Sequence, residues 1–101
     1  MKSFLIQITG IVQGVGFRPF VYNLAIKHNM KGWVNNDDRG VNILLNCKEQ
    51  EAQNFINELQ ENPPVLAKIN SINIEKITEI KECKSFEIKQ SSNSNNKSTI
   101  I

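Results

Sequence analysis

The segment Gly10-Ile11-Val12-Gln13-Gly14-Val15-Gly16-Phe17-Arg18-Pro19-Phe20 constrains this chain more than any other, because the hydrophobic period changes across it. Before it, Phe4, Ile6 and Ile8 alternate with Leu5, Gln7 and Thr9, the period-two pattern of a strand. After it, Val21, Leu24, Ala25 and His28 share one helical face. The spacing predicts a helix from Pro19 to about His28, with Gly32 as its stop shortly beyond. A strand that enters a helix through Gly10, Gly14 and Gly16 presents main-chain amides at a helix N-terminus, where amides and helix dipole both favour an anion. Gly14 and Gly16 can take the positive φ that turns several N–H groups inward. Arg18 adds a permanently charged planar fork that matches phosphate oxygens. Proline favours the first helical position and pushes its predecessor out of helical geometry, so Pro19 predicts Arg18 at the N-cap, on the mouth of the anion site.

The remaining patterns give the order of elements. Trp33 to Asn36 reads as a short strand, and Val41, Ile43, Leu45 and Cys47 alternate with Asn42, Leu44 and Asn46 as another. Between them Asp37-Asp38-Arg39-Gly40 is a polar turn with glycine at its end, which suits a hairpin. Ala52, Phe55, Ile56 and Leu59 form one apolar helical stripe, and Pro63-Pro64 ends that helix. Ile69, Ile72, Ile74 and Ile77 populate a fourth strand with imperfect alternation, and Phe86 and Ile88 mark a short fifth. The order βαββαβ plus a final strand predicts an α+β, ferredoxin-like sandwich, with two helices on one face of an antiparallel sheet.

Composition narrows the classes of function. At 101 residues, 40% hydrophobic and 22% charged, the chain suits one ordinary globular domain with a modest core. A net charge of +2, spread without a basic run and without aromatics interleaved among cations, argues against nucleic acid as a partner. No run of about 18 apolar residues is present for a membrane span. The alternating N-terminus lacks a signal peptide's apolar block, so the expected compartment is the cytoplasm. Cys47 and Cys83 stand without a CxxC pair or a histidine partner, which excludes a zinc site and favours two reduced thiols over one disulfide. Ser91 to Thr99 contains no apolar residue and predicts a flexible segment before the terminal Ile100-Ile101. The expected organisation is a domain over residues 1–90, then a linker over 91–101 cut from a larger protein.

Taken alone, two glycines and an arginine would form only a tight strand–helix turn, and neither GxxxxGK[ST] nor GxGxxG is present. The surrounding residues change that reading. Gly10 to Arg18 resembles the signature loop of the acylphosphatase family almost residue for residue, and Gly32-Trp33-Val34-Asn35-Asn36 is similar to that family's second signature, which ends in a catalytic asparagine. The resemblance runs from about residue 3 to residue 89. It implies an acyl phosphate phosphohydrolase with Gln13, Gly14, Val15, Gly16, Phe17 and Arg18 as the phosphate-binding loop, Arg18 as the phosphate-binding arginine and Asn36 as the residue that orients water. Neither metal nor cofactor is implied. The chemistry agrees, because positioning and charge stabilisation carry most phosphoryl transfer, and a carboxamide both donates and accepts without titrating.

Asn35 competes with Asn36. Adjacent strand residues point to opposite faces and alternation does not choose between them; the family spacing selects Asn36. His28 reads as a helix-end residue, Asp37 and Asp38 as a solvated turn, and Gln13 either as a substrate contact or as a side chain that ties down the turn. A narrower resemblance lies in Arg18-Pro19-Phe20-Val21-Tyr22 and in Asn62 to Ile69, which are similar to the N-terminal acylphosphatase-like domain of hydrogenase-maturation carbamoyltransferases. It implies carbamoyl phosphate as the small acyl phosphate and the rest of that larger enzyme as a partner. The alternative it implies is a non-catalytic carbamoyl-phosphate-binding or docking module. Arg39-Gly40-Val41-Asn42 departs from that family, which commonly has Asp-Gly in the turn and a Glu soon after the valine, and it raises the question of a second positive charge near the substrate.

Overall fold

The computed structural model describes residues 2–77 and 83–89. Strand β1 (Lys2–Ile11) buries Phe4, Ile6 and Ile8 on one face, as its alternation requires. Helix α1 (Phe17–Lys27) lays Phe17, Val21, Leu24 and Ala25 on the same core. Strands β2 (Lys31–Asp37) and β3 (Gly40–Cys47) form the expected hairpin, and α2 (Glu49–Glu61) buries Ala52, Phe55, Ile56 and Leu59. Its start is fixed by the Glu51 carboxylate, which accepts a hydrogen bond from the Lys48 N–H at 2.8 Å. Strands β4 (Lys68–Ile77) and β5 (Phe86–Ile88) complete a five-stranded sheet in the order β4-β1-β3-β2-β5.

Both helices lie on one face of the sheet, in the ferredoxin-like arrangement. The sheet itself is mixed rather than wholly antiparallel: β5 pairs parallel to β2, with Gly32 opposite Phe86 and Val34 opposite Ile88. Topology requires this. β4 runs antiparallel to β1 on one edge, so the next strand returns in the direction of β1, and on the far edge it meets β2, which shares that direction.

Two features of α1 differ from the sequence expectation. The N-cap is Gly16, with φ 79° and ψ 21°, so Arg18 is the second and Pro19 the third helical residue. Proline costs little there, because the first turn has no intrahelical acceptor for its missing N–H; the first i→i−4 bond runs from Phe20 N to Gly16 O at 3.2 Å. Gly32 is not the helix stop. Asn29 at φ 56° ends α1 in a Schellman motif, with Met30 N bonded to Ala25 O at 2.8 Å and Asn29 N to Ile26 O at 3.1 Å. Gly32 instead lies inside β2, where a Cβ would stand 1.8 Å from Leu44 O. The linker expected over residues 91–101 lies outside the described residues.

Candidate active site

The end of β1, the start of α1 and the β2–β3 hairpin meet at one end of the sheet. Gly14 and Gly16 take φ 73° and 79°, while Val15 between them does not share that left-handed region. This alternation folds successive amides into a concave nest. The amides of Phe17 and Arg18 precede any i−4 acceptor within the helix, so they remain as donors at its N-terminus. No acidic residue occupies the first turn of α1 to offset the helix dipole. Arg18 is half-buried in that turn, and the ion pairs among the described residues, Lys27–Glu58 at 2.6 Å and His28–Glu58 at 2.8 Å, lie at the helix's opposite end. Val12 and Phe17 are buried and Val15 packs against the core, which anchors the loop from within.

Gln13 ties the loop to the hairpin. Its Nε2 donates to the carbonyl of Asp37, and to that of Gly40 at 3.4 Å. Of the two sequence readings of Gln13, the side chain that fastens the turn describes its contacts. The register separates the two asparagines. Ile8 pairs with Val41 and Val41 with Asn36, so Asn36 shares the helix-covered face with two core residues. Gln7 pairs with Asn42 and Asn42 with Asn35, which places Asn35 on the open face. Asn36 Oδ1 is buried beneath the surface on the side from which α1 and its loop approach. The structure thus brings the glycine nest, Arg18 and Asn36 to one end and one face.

The other sequence candidates fall elsewhere. His28 caps the far end of α1 and joins it to α2 through Glu58, whose carboxyl is lowered first by the Lys27 hydrogen bond and then by that of His28. Asp37 stabilises the turn: its Oδ1 accepts from Arg39 N at 2.9 Å and Gly40 N at 3.2 Å. Its carboxyl is held below the ordinary value, chiefly by the hydrogen bond from Asn42, with burial opposing and the two turn amides assisting. Arg39 lines a shallow cavity of about 200 Å³ on the open face, with Gln7, Thr9, Asn42, Ser71 and Asn73. No disulfide joins Cys47 and Cys83, and burial pushes the Cys47 thiol up to about 11. Sequence reasoning missed the hydrogen bonds that Asn42 makes to Asn35 and Asp37; the one signal available was the number of carboxamides flanking the turn.

A βαββαβ sandwich whose first strand enters its first helix through a nest of left-handed glycines defines a class of small ferredoxin-like domains. The acylphosphatase family model matches residues 4–88, and the chain belongs to that family. It is 39% identical to an acylphosphatase of Bacillus pumilus over 83 residues, 81% of this chain and 91% of that one. It is 48% identical over 88 residues to a probable carbamoyltransferase HypF of Methanocaldococcus jannaschii, covering 87% of this chain and 12% of the relative. The crystal structure of full-length HypF in its phosphate- and nucleotide-bound form superposes with a TM-score of 0.83 at 45% identity, over 89% of this chain and 12% of that one. The chain therefore spans about an eighth of the HypF proteins it resembles and nearly all of a free acylphosphatase. Family and fold make it an acylphosphatase enzyme. No helix among the described residues is long and apolar enough to cross a membrane.

Proposed function

We propose that this domain hydrolyses the carboxyl–phosphate bond of carbamoyl phosphate, or of another small acyl phosphate, as the N-terminal unit of a cytoplasmic hydrogenase-maturation carbamoyltransferase. In this reading the amides of residues 14–18 and the Arg18 guanidinium hold the phosphate, and they stabilise charge on its equatorial oxygens as the bond loosens. The Asn36 carboxamide orients the attacking water so that a lone pair of that water faces phosphorus. Water oxygen bonds to phosphorus as the phosphorus–acyl oxygen bond breaks. Carbamate leaves with that electron pair, and the water gives up one proton to solvent while the other stays on the phosphate. The observation that carries the reading is the left-handed Gly14 and Gly16 pair opening directly onto the arginine of an acid-free helix turn.

The test is phosphate release from carbamoyl phosphate and from benzoyl phosphate by the parent chain, Arg18→Ala and Asn36→Ala. Loss of a transition-state contact is expected to cost about 2.7–4 kcal/mol, a hundredfold or more in rate. Parent rates in both variants would overturn the assignment. The small share of HypF that the chain covers favours one second reading, a carbamoyl-phosphate-binding or docking module of the larger enzyme. Calorimetry with inorganic phosphate beside the same assay separates the two: tight binding without turnover supports the module.

A further inference from the structure

We infer that Asn42, acting with Asn35 and Asp37 on the open face of the sheet, is a positioning residue that holds Asn36 from behind. The inference rests on the reading of Asn36 as the residue that orients water. Asn36 is the last residue but one of β2, where a strand leaves its ladder and backbone freedom is greatest. The turn that follows offers little intrinsic rigidity. Neither Asp38 nor Arg39 has a positive φ, so the hairpin lacks the primed turn whose twist matches its strands.

Side chains supply the missing constraint. Asn42 Nδ2 donates one proton to Asn35 Oδ1 at 3.2 Å and the other to Asp37 Oδ2 at 3.0 Å. The orientation of the Asn42 amide is settled by its partner, since a carboxylate only accepts. Asp37 Oδ1 then closes over the turn amides of Arg39 and Gly40. One carboxamide on β3 therefore grips the residues immediately before and after Asn36, and both grips lie on the face opposite its side chain. Gln13 holds the carbonyls of Asp37 and Gly40. Asn36 can shift along or out of the sheet only if one of these bonds breaks. A carboxamide that must aim a water at phosphorus needs such support, because a misplacement of about 1 Å costs on the order of a hundredfold in rate.

A double-mutant cycle between Asn42→Ala and Asn36→Ala tests this, read as kcat, KM and phosphate affinity for the full chain with carbamoyl phosphate. Asn42→Ala is expected to lower kcat by about tenfold or more, with KM and phosphate affinity changed by less than about twofold, because Gly14, Gly16 and the first turn of α1 build the nest and the clasp reaches it only through Gln13. In the Asn36→Ala background the same change is expected to cost nothing further, whereas a mere loss of folded protein would lower kcat equally in both backgrounds. Asn35→Ala runs the same cycle where Asn42→Ala fails to fold. Parent kcat in Asn42→Ala, or an equal loss in both backgrounds, overturns the inference alone. A parent rate in Asn36→Ala removes the catalytic reading, and the inference with it.

Discussion

Replacing Gly16 and Gly32 by alanine should separate two uses of glycine that look alike in the sequence. At Gly16 a Cβ meets nothing within 4 Å, so space is not the obstacle. The cost of Gly16→Ala is that of holding an L-residue at φ 79°, about 1–2 kcal/mol. In a domain of this size each kcal/mol moves the melting point by about 4–8 °C. Gly16→Asn should recover part of that loss, because asparagine tolerates the left-handed region better than alanine. At Gly32 the same Cβ would stand 1.8 Å from Leu44 O and 2.7 Å from Leu44 C, both main-chain atoms of the neighbouring strand. Neither can yield without parting β2 from β3, so Gly32→Ala should cost more than about 4 kcal/mol. That is a large part of the roughly 5–15 kcal/mol that keeps such a domain folded.

Urea unfolding followed by fluorescence of Trp33, the single tryptophan, measures both costs. Repeating the titration with inorganic phosphate adds a functional readout, because saturation at a hundred times Kd stabilises the folded state by about 2.7 kcal/mol. If the alanine relaxes the loop to a negative φ, the nest opens and this increment should shrink in Gly16→Ala. Equal losses at the two positions would refute the distinction, and no loss in Gly16→Ala would refute the left-handed N-cap.

Asp37 should appear in the pH dependence of stability. Its folded-state pKa lies below its unfolded value of about 3.9. The folded state therefore gains stability that is complete above that value and is lost as pH falls through the lower, folded one. Acid unfolding curves of Asp37→Asn and the parent should accordingly converge at low pH and separate above about pH 4; parallel curves would contradict the role of the carboxylate in the turn. Cys47, with its thiol pushed up to about 11 by burial, should react with a disulfide reagent at pH 8 only as fast as the protein opens. Rapid labelling of Cys47 in Cys83→Ser, under native conditions, would contradict its burial.

The fold was legible because each element carries its own period. The stripe Ala52, Phe55, Ile56 and Leu59 is buried as the spacing requires, and Phe86 to Ile88 forms the short fifth strand. Errors arose where a residue's role depends on a distant backbone. Gly32 resembles a helix stop until β3 is placed beside it, with Leu44 O where its Cβ would be. Pro19 resembles a first helical residue until the free donors of the whole first turn are counted, which allows it the third position. The direction of β5 follows from the sheet order, which no local pattern encodes. At the site, the turn from strand to helix could be read from the glycines, with Arg18 singled out by the family resemblance, but the face on which Asn36 lies depends on its pairing with Val41, a register that alternation alone leaves open.

That dependence on register follows from the sheet order. β1, which delivers the glycine loop and Arg18, never pairs with β2, which delivers Asn36; each pairs with β3 between them. The separation of guanidinium and carboxamide is thus set by one intervening strand and by side chains that cross it, Gln13 from the loop and Asn42 from β3 itself. A one-residue slip of β2 against β3 would turn Asn36 to the open face and bring Asn35 or Asp37 to the glycine loop instead. The hairpin therefore needs more specification than its backbone ladder provides. The carboxamides and the carboxylate around its turn supply that specification on the face opposite the Asn36 side chain.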